Sequence, residues 1–244
     1  MFEKLKTYLC EALGLGLFML SASVFDILVD HPGLPVRGYI HSDLMRRFFI
    51  GSAMGLTALY ILNSPFGKRS GAHINPSVTI VQYRIGNIKR IDATFYILFQ
   101  FLGAALGVLI IDLIMPALFE SQTVNYIVTK PQINGIGFAF ALEFVISFIL
   151  ISVVLYSNTN KSLTRYTAWF VAFLITIFIT FEAPFSGMSM NPARTFGSAI
   201  VANQWDSFWL YCIAPPLGMI CGELFIGKVL HKELKNVTLH NDKK

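Results

Sequence analysis

The sequence predicts an all-α membrane protein of six transmembrane helices and two re-entrant half-helices, arranged as an inverted repeat. Three observations carry this: the composition, the spacing of the apolar stretches, and one motif that occurs twice. Of 244 residues, 55% are hydrophobic, only 14% are charged and 22 are Phe. The mean hydropathy is +0.60. Soluble domains carry about 25% charged residues, and a soluble core of this length cannot hide so much apolar surface. Disorder is excluded by the same numbers. Three cysteines scattered through apolar runs, Cys10, Cys212 and Cys221, form neither a disulfide framework nor a metal cluster. No metal or other cofactor is expected. The net charge of +5 fits the basic bias of membrane proteins rather than nucleic-acid binding.

A helix needs about 20 mostly apolar residues to cross about 30 Å of hydrocarbon. Six stretches qualify: Leu5–Leu28, Phe48–Leu62 with its flanks, Thr94–Leu118, Ile136–Tyr156, Tyr166–Phe181 and Phe208–Leu230. The first contains Glu11 and is followed by no small-residue cleavage site, so it does not read as a cleaved leader. The second is short unless residues before Phe48 join it. Six spans put both termini on one side. That side then holds fourteen of the 19 Lys and Arg residues, Lys232, Lys235, Lys243 and Lys244 among them. The other side holds Arg37, Arg46, Arg47, Lys130 and Arg194. The richer side is expected to be cytoplasmic. The sequons at Asn160 and Asn236 then face the cytoplasm and carry no glycan. Residues 1–244 read as one domain, with a short charged end after Leu230.

Two connections do not read as ordinary loops. Ser70-Gly71-Ala72-His73-Ile74-Asn75-Pro76-Ser77 and Ser186-Gly187-Met188-Ser189-Met190-Asn191-Pro192-Ala193 align without gaps. Glu11 and Glu143 lie at matching places in the first and fourth spans. The chain therefore reads as two related halves, about 1–120 and about 136–230. Each has three spans, an odd number, so the second is inserted upside down. Repeats of this kind place their functional site near the membrane midplane, between the halves. Asn is a favoured N-cap, and Pro suits the first helical position because it has no N–H to leave unpaired. Each Asn-Pro thus starts a helix of about 10 apolar residues, or about 15 Å, half a bilayer. An isolated Asn-Pro merely opens a surface helix. Two copies in matching context, in corresponding loops, point to half-helices that enter from opposite faces and meet at their N-termini. The Ser-Gly segments before them are extended, which lipid forbids unless protein buries them or they line a watery cavity.

On these residues the chain resembles the aquaporin (major intrinsic protein) family over essentially its whole length. The shared motifs are the paired Asn-Pro boxes, Asn191-Pro192-Ala193-Arg194, the acids Glu11 and Glu143, and Gln100 in the third span. The first box departs from the family pattern, with Ser77 where Ala is usual. The resemblance implies a homotetramer with one pore per subunit, in a plasma or bacterial inner membrane. It implies passive conduction of water, and of small neutral solutes such as glycerol, with exclusion of protons and ions. Backbone carbonyls of Ala72, His73, Ile74, Met188, Ser189 and Met190 would line the pore. Its selectivity filter would fall on Ile179, Met188, Arg194 and either Met54 or Gly55; matching Gly55-Leu56-Thr57 to the family favours Met54. The markers divide. Ile179 stands where water channels often have His, but Thr195 stands where glycerol channels have Asp, and Tyr211 fits the water group while Cys212 replaces a common Trp. Met188 occupies a position where some members have a mercury-reactive Cys.

Several residues carry alternative readings of their own. A cation in the first turn of a half-helix opposes the helix dipole and is costly at membrane depth. Arg194 is therefore either ion-paired with Glu182 or exposed to the pore. Glu11 and Glu143 are either proton carriers or acceptors for the backbone N–H groups of the adjoining loops, with Gln100 in a similar role. His73 is a protonation gate or a hydrogen-bonded part of the wall. Asp112 and Glu223 serve helix contacts or a subunit interface. Gly103, Gly107, Ala104 and Ala105 read as close helix packing. No paired catalytic carboxylates and no Gly-rich phosphate loop appear, so an enzyme is not expected. A gradient-coupled transporter using Glu11, Glu143 or His73, a solute facilitator with weak water flux, and a junctional role are the competing functions.

Overall fold

The computed structural model describes residues 2–241, with side chains given as far as residue 230. Of the positions assigned above, Lys243 and Lys244 lie outside the described residues, and Lys232, Lys235 and Asn236 lie beyond the last described side chain. The described residues are mostly helical, without strands. The helices are α1 (Phe2–Asp30), α2 (Pro35–Tyr39), α3 (Asp43–Asn63), α4 (Pro65–Ser70), α5 (Pro76–Arg84), α6 (Arg90–Ile114), α7 (Pro116–Phe119), α8 (Gly135–Thr159), α9 (Thr167–Phe181), α10 (Ala183–Ser186), α11 (Pro192–Ala202) and α12 (Phe208–Asn241). Short 3-10 turns at Asn125–Ile127 and Thr164–Tyr166 complete them.

Five helical segments are long and apolar enough to cross a membrane: Phe2–Asp30, Arg90–Ile114, Gly135–Thr159, Thr164–Phe181 and Phe208–Leu230. The sixth long helix, α3, has 21 residues, about 31 Å at 1.5 Å per residue. It begins at Asp43, so residues before Phe48 do join the second span. Asp43, Arg46 and Arg47 in its first turns are what keep its hydropathy low. The Ser42 hydroxyl starts it by accepting from Met45 N. Two other boundaries differ from expectation. The third span ends at Ile114, because Pro116 opens a separate turn that takes Leu118 with it. The sixth span continues as helix to Asn241 rather than stopping at Leu230.

The long helices pack in crossed pairs. α1 packs on α6, α8 on α12, and α3 on α9. The half-helices then cross over: α11 packs on α6 and α5 on α12. Each half of the chain is thereby held by a half-helix of the other. The α1–α6 crossing depends on absent side chains. A Cβ at Gly103 would stand 2.1 Å from the Ala12 carbonyl, and one at Gly107 2.3 Å from the Gly16 carbonyl. Such close approach is how helices associate where lipid supplies no hydrophobic drive between them. Leu98, Leu113, Trp169 and Phe173 point outward and exposed, as a lipid-facing surface requires.

Candidate functional site

The two Asn-Pro boxes meet in the middle of the molecule. Asn75 caps α5 by accepting from Ser77 N at 2.8 Å, and its side-chain Nδ2 donates to the Met190 carbonyl at 2.7 Å. Asn191 caps α11 by accepting from Ala193 N at 3.1 Å and Arg194 N at 3.2 Å, and its Nδ2 donates to the Ile74 carbonyl at 2.8 Å. The exchange is reciprocal and ties the two helix N-termini together. Each amide nitrogen carries two hydrogens, and only one is engaged in this way.

The segments before the boxes are strained in matching places. Ala72, Ile74, Met188 and Met190 all have left-handed φ, at 45°, 41°, 48° and 54°. Such conformations cost about 1–3 kcal/mol each and persist only where surroundings enforce them. The buried acids do so. Glu11 accepts from His73 N at 3.0 Å, Ile74 N at 2.6 Å and Gln100 Nε2 at 2.7 Å. Glu143 accepts from Ser189 N, Met190 N and the Ser186 hydroxyl, all at 2.7 Å. Tyr96 and Tyr211 repeat the correspondence from α6 and α12, donating to the carbonyls of Ser70 and Ser186. His73 Nδ1 pairs with the Thr79 hydroxyl at 3.1 Å. Thr195 is buried behind the second segment, bonded to the Ser189 and Thr129 hydroxyls.

A cavity of about 1120 Å³ extends from Asp30, Asp43 and Arg46 at one end to Asn158, Thr164 and Arg165 at the other. Gly71 to Asn75 and Gly187 to Asn191 line it, as do Met54, Ile179 and Arg194. Gly55 does not: it packs on α9, where a Cβ would stand 2.5 Å from the Ala172 carbonyl. Pro76, Ser77, Pro192 and Ala193 are buried behind the wall. Arg194 donates from Nη1 to the Ile127 carbonyl at 3.0 Å. It makes no ion pair with Glu182, which is buried with neither carboxylate oxygen hydrogen-bonded among the described residues. Glu223 pairs with Arg84 of α5 at 2.9 Å, an intramolecular contact.

Sequence reasoning missed two contributors. The first is the loop before α8, where Asn125, Tyr126 and Ile127 all take left-handed φ. It is pinned by a mutual side-chain amide pair between Asn125 and Gln204, at 2.8 and 3.2 Å, and so delivers the Ile127 carbonyl to Arg194. Nothing in its composition signals this. The second is Asp26, which lines the cavity from α1. Its signal was present: an acid inside an apolar span, four residues from both Ala22 and Asp30 on one helical face.

Six long helices around an axial cavity, with two half-helices abutting at its middle, define an integral membrane protein of re-entrant, two-fold repeated design. The chain belongs to the major intrinsic protein family, whose model matches residues 1–226. It is similar to rat aquaporin-4 (Rattus norvegicus), 34% identical over 164 residues, which covers 66% of this chain and 50% of that protein. It is also similar to probable aquaporin NIP7-1 of Arabidopsis thaliana, 31% identical over 172 residues, 70% of this chain and 60% of that one. The chain spans about half the length of the first of these. The fold matches the X-ray structure of the aquaglyceroporin from Plasmodium falciparum with a TM-score of 0.80 at 19% identity, covering 93% of this chain and 97% of that one.

Proposed function

We propose that this chain is a passive channel for water and small neutral solutes that excludes protons and ions. The observation that carries the reading is the reciprocal bonding of Asn75 and Asn191 at two helix N-termini that face one cavity. Two positive dipole ends and two amide donors meet a permeating molecule there, and a proton or cation meets repulsion. The carbonyls of Ala72, His73, Ile74, Met188, Ser189 and Met190 replace the hydrogen bonds that water loses on leaving bulk solvent. Met54, Ile179, Met188 and Arg194 form the constriction; two adaptable Met side chains narrow it, and Arg194 adds charge and donors. Glu11 and Glu143 support the strained segments. Each is occupied as an acceptor by three donors, which makes it a poor proton carrier. The names of the relatives, aquaporin and aquaglyceroporin, agree with a pore of this kind.

The same reading has both termini in the cytoplasm, two inverted halves in a single domain, and a homotetramer with one pore per subunit. Stopped-flow swelling of proteoliposomes tests it. Water flux well above that of empty vesicles, indifferent to proton and sodium gradients, is the expected result. Flux of water and glycerol no faster than through bare lipid removes the reading.

A further inference from the structure

Met54 on α3, and Met188 and Met190 in the segment before α11, line the cavity. Met190 is held through its carbonyl by Asn75. Met54 shares one face of α3 with Ile50 and Ala58, a helical turn away on either side. Met188 is fixed by its left-handed φ of 48° and by the bond from its N–H to the Ser186 hydroxyl at 3.1 Å. Met54 and Met188 are 2% and 6% exposed, comparable to Asn75 at 6%, as a narrow bore imposes on groups that face it. Around them Ile50, Ile175 and Ile179 are aliphatic and inert to mild oxidants. Cys10, Cys212 and Cys221 do not line the cavity. Met19 and Met219 are fully buried away from it, and Met45 and Met115 are exposed outside it. In this stretch of wall, the thioethers of Met54 and Met188 are what a small oxidant meets.

We propose that Met54 and Met188 are modification sites, thioethers that hydrogen peroxide entering the cavity converts to sulfoxides, and that the conversion lowers flux. This rests on the channel reading above. Peroxide is small, neutral and both donor and acceptor, so the cavity brings it to sulfurs that the fold hides from larger oxidants. In the step, a sulfur lone pair attacks one peroxide oxygen and the O–O bond breaks. The departing hydroxide takes the hydrogen left on the transferred oxygen and leaves as water. Sulfur is oxidised by two electrons and the peroxide is reduced by the same two. An adaptable apolar side chain becomes a polar one, larger by an oxygen. In the constriction that oxygen takes up width. It also holds a passing water as an acceptor, where an apolar wall releases it. The channel thereby registers oxidant within its own bore.

The full chain in proteoliposomes, treated with hydrogen peroxide and then freed of it, tests this by peptide mass mapping and stopped-flow swelling. Sulfoxide should form at Met54 and Met188 well ahead of Met19 and Met219. Water flux should fall about fivefold, the worth of one hydrogen bond that each passing water must break. A variant with both Met54→Leu and Met188→Leu keeps the wall apolar and retains Met45, Met115, Met190 and all three cysteines. Its flux after peroxide should equal its own flux before. If the double variant carries no flux, Met188→Leu alone serves, and should lose a smaller fraction than wild type. Sulfoxide at Met54 and Met188 no earlier than at Met19 and Met219 overturns the proposal. So does a water flux that survives their oxidation, or an equal fractional fall in the variant. Those outcomes leave a working water channel, whereas an untreated wild-type chain with no water flux overturns the channel reading itself and this proposal falls with it.

Discussion

Asn75 donates its side-chain amide to the main-chain carbonyl of Met190 at 2.7 Å, across 115 residues of sequence. That bond does two jobs. It satisfies a carbonyl in a strained segment at the centre of the molecule, and it joins the end of one half-helix to the approach of the other. Because Asn75 also caps its own helix, one small side chain holds local and tertiary structure at once.

Asn75→Ala should therefore cost more than an ordinary cap. It leaves Ser77 N and the Met190 carbonyl without their partner, a loss of about 2–4 kcal/mol. Thermal unfolding in detergent should show a clear fall in midpoint, and a midpoint equal to wild type refutes the double role.

Ser77→Ala should behave oppositely. Ser77 is fully buried and its hydroxyl has no hydrogen-bond partner among the described residues. Removing an unsatisfied buried hydroxyl is neutral or stabilising by up to about 1 kcal/mol. The same unfolding assay checks the sign; a marked destabilisation means that the hydroxyl is satisfied after all.

Gly103→Ala should disrupt assembly of the bundle. Its Cβ would meet backbone, the Ala12 carbonyl, which no rotamer change can move. Separating α1 from α6 costs about 2 kcal/mol or more by overpacking. It also strains the Glu11 contacts that α1 delivers. The expected outcome is poor yield of monodisperse protein from membranes.

Arg194→Ala should relax selectivity. The variant loses the bond to the Ile127 carbonyl, a positive charge and most of a side chain that lines the cavity. Vesicle leak of small cations and flux of larger neutral solutes should both rise. If both stay at wild-type levels, Arg194 is not part of the constriction.

Mercurials should leave water flux through vesicles that hold the wild-type protein unchanged. Met188 lines the cavity, whereas Cys10, Cys212 and Cys221 do not. Met188→Cys should gain block by a mercurial, reversed by excess thiol. Block of the wild-type protein, or none in the variant, contradicts this placement of residue 188.

The half-helices were legible because their signals are local. Asn and Pro at successive positions specify a helix start through the cap and the missing N–H, and the second copy lent the first its meaning. Glu11 and Glu143 were legible through their matching positions, although which donors they accept from depends on the folded loops. The second span was only half legible. Its start depends on the Ser42 cap, and its first turns carry charges that pair with Asp30 of α1, a residue hydropathy cannot connect to it.

What stayed hidden had partners distant in sequence. Ile127 becomes a contact of Arg194 only because Asn125 and Gln204 pin a left-handed turn across the mouth of the cavity. Arg194 had two readings open, and the packing that leaves Glu182 apart from it is a matter of tertiary distance. Asp26 is an acid within an apolar span, but that its face of α1 lines the cavity is a matter of packing.

By itself, the sequence determined the solvent, the helices, the half-helices and the family, because composition, periodicity and capping act over a few residues. Tertiary structure alone decided which side chains meet in the cavity: that Met54 rather than Gly55 lines it, that Arg194 bonds a loop carbonyl, and that Asp26 faces it from α1. Helices specify which residues share a face, but only packing specifies what that face confronts.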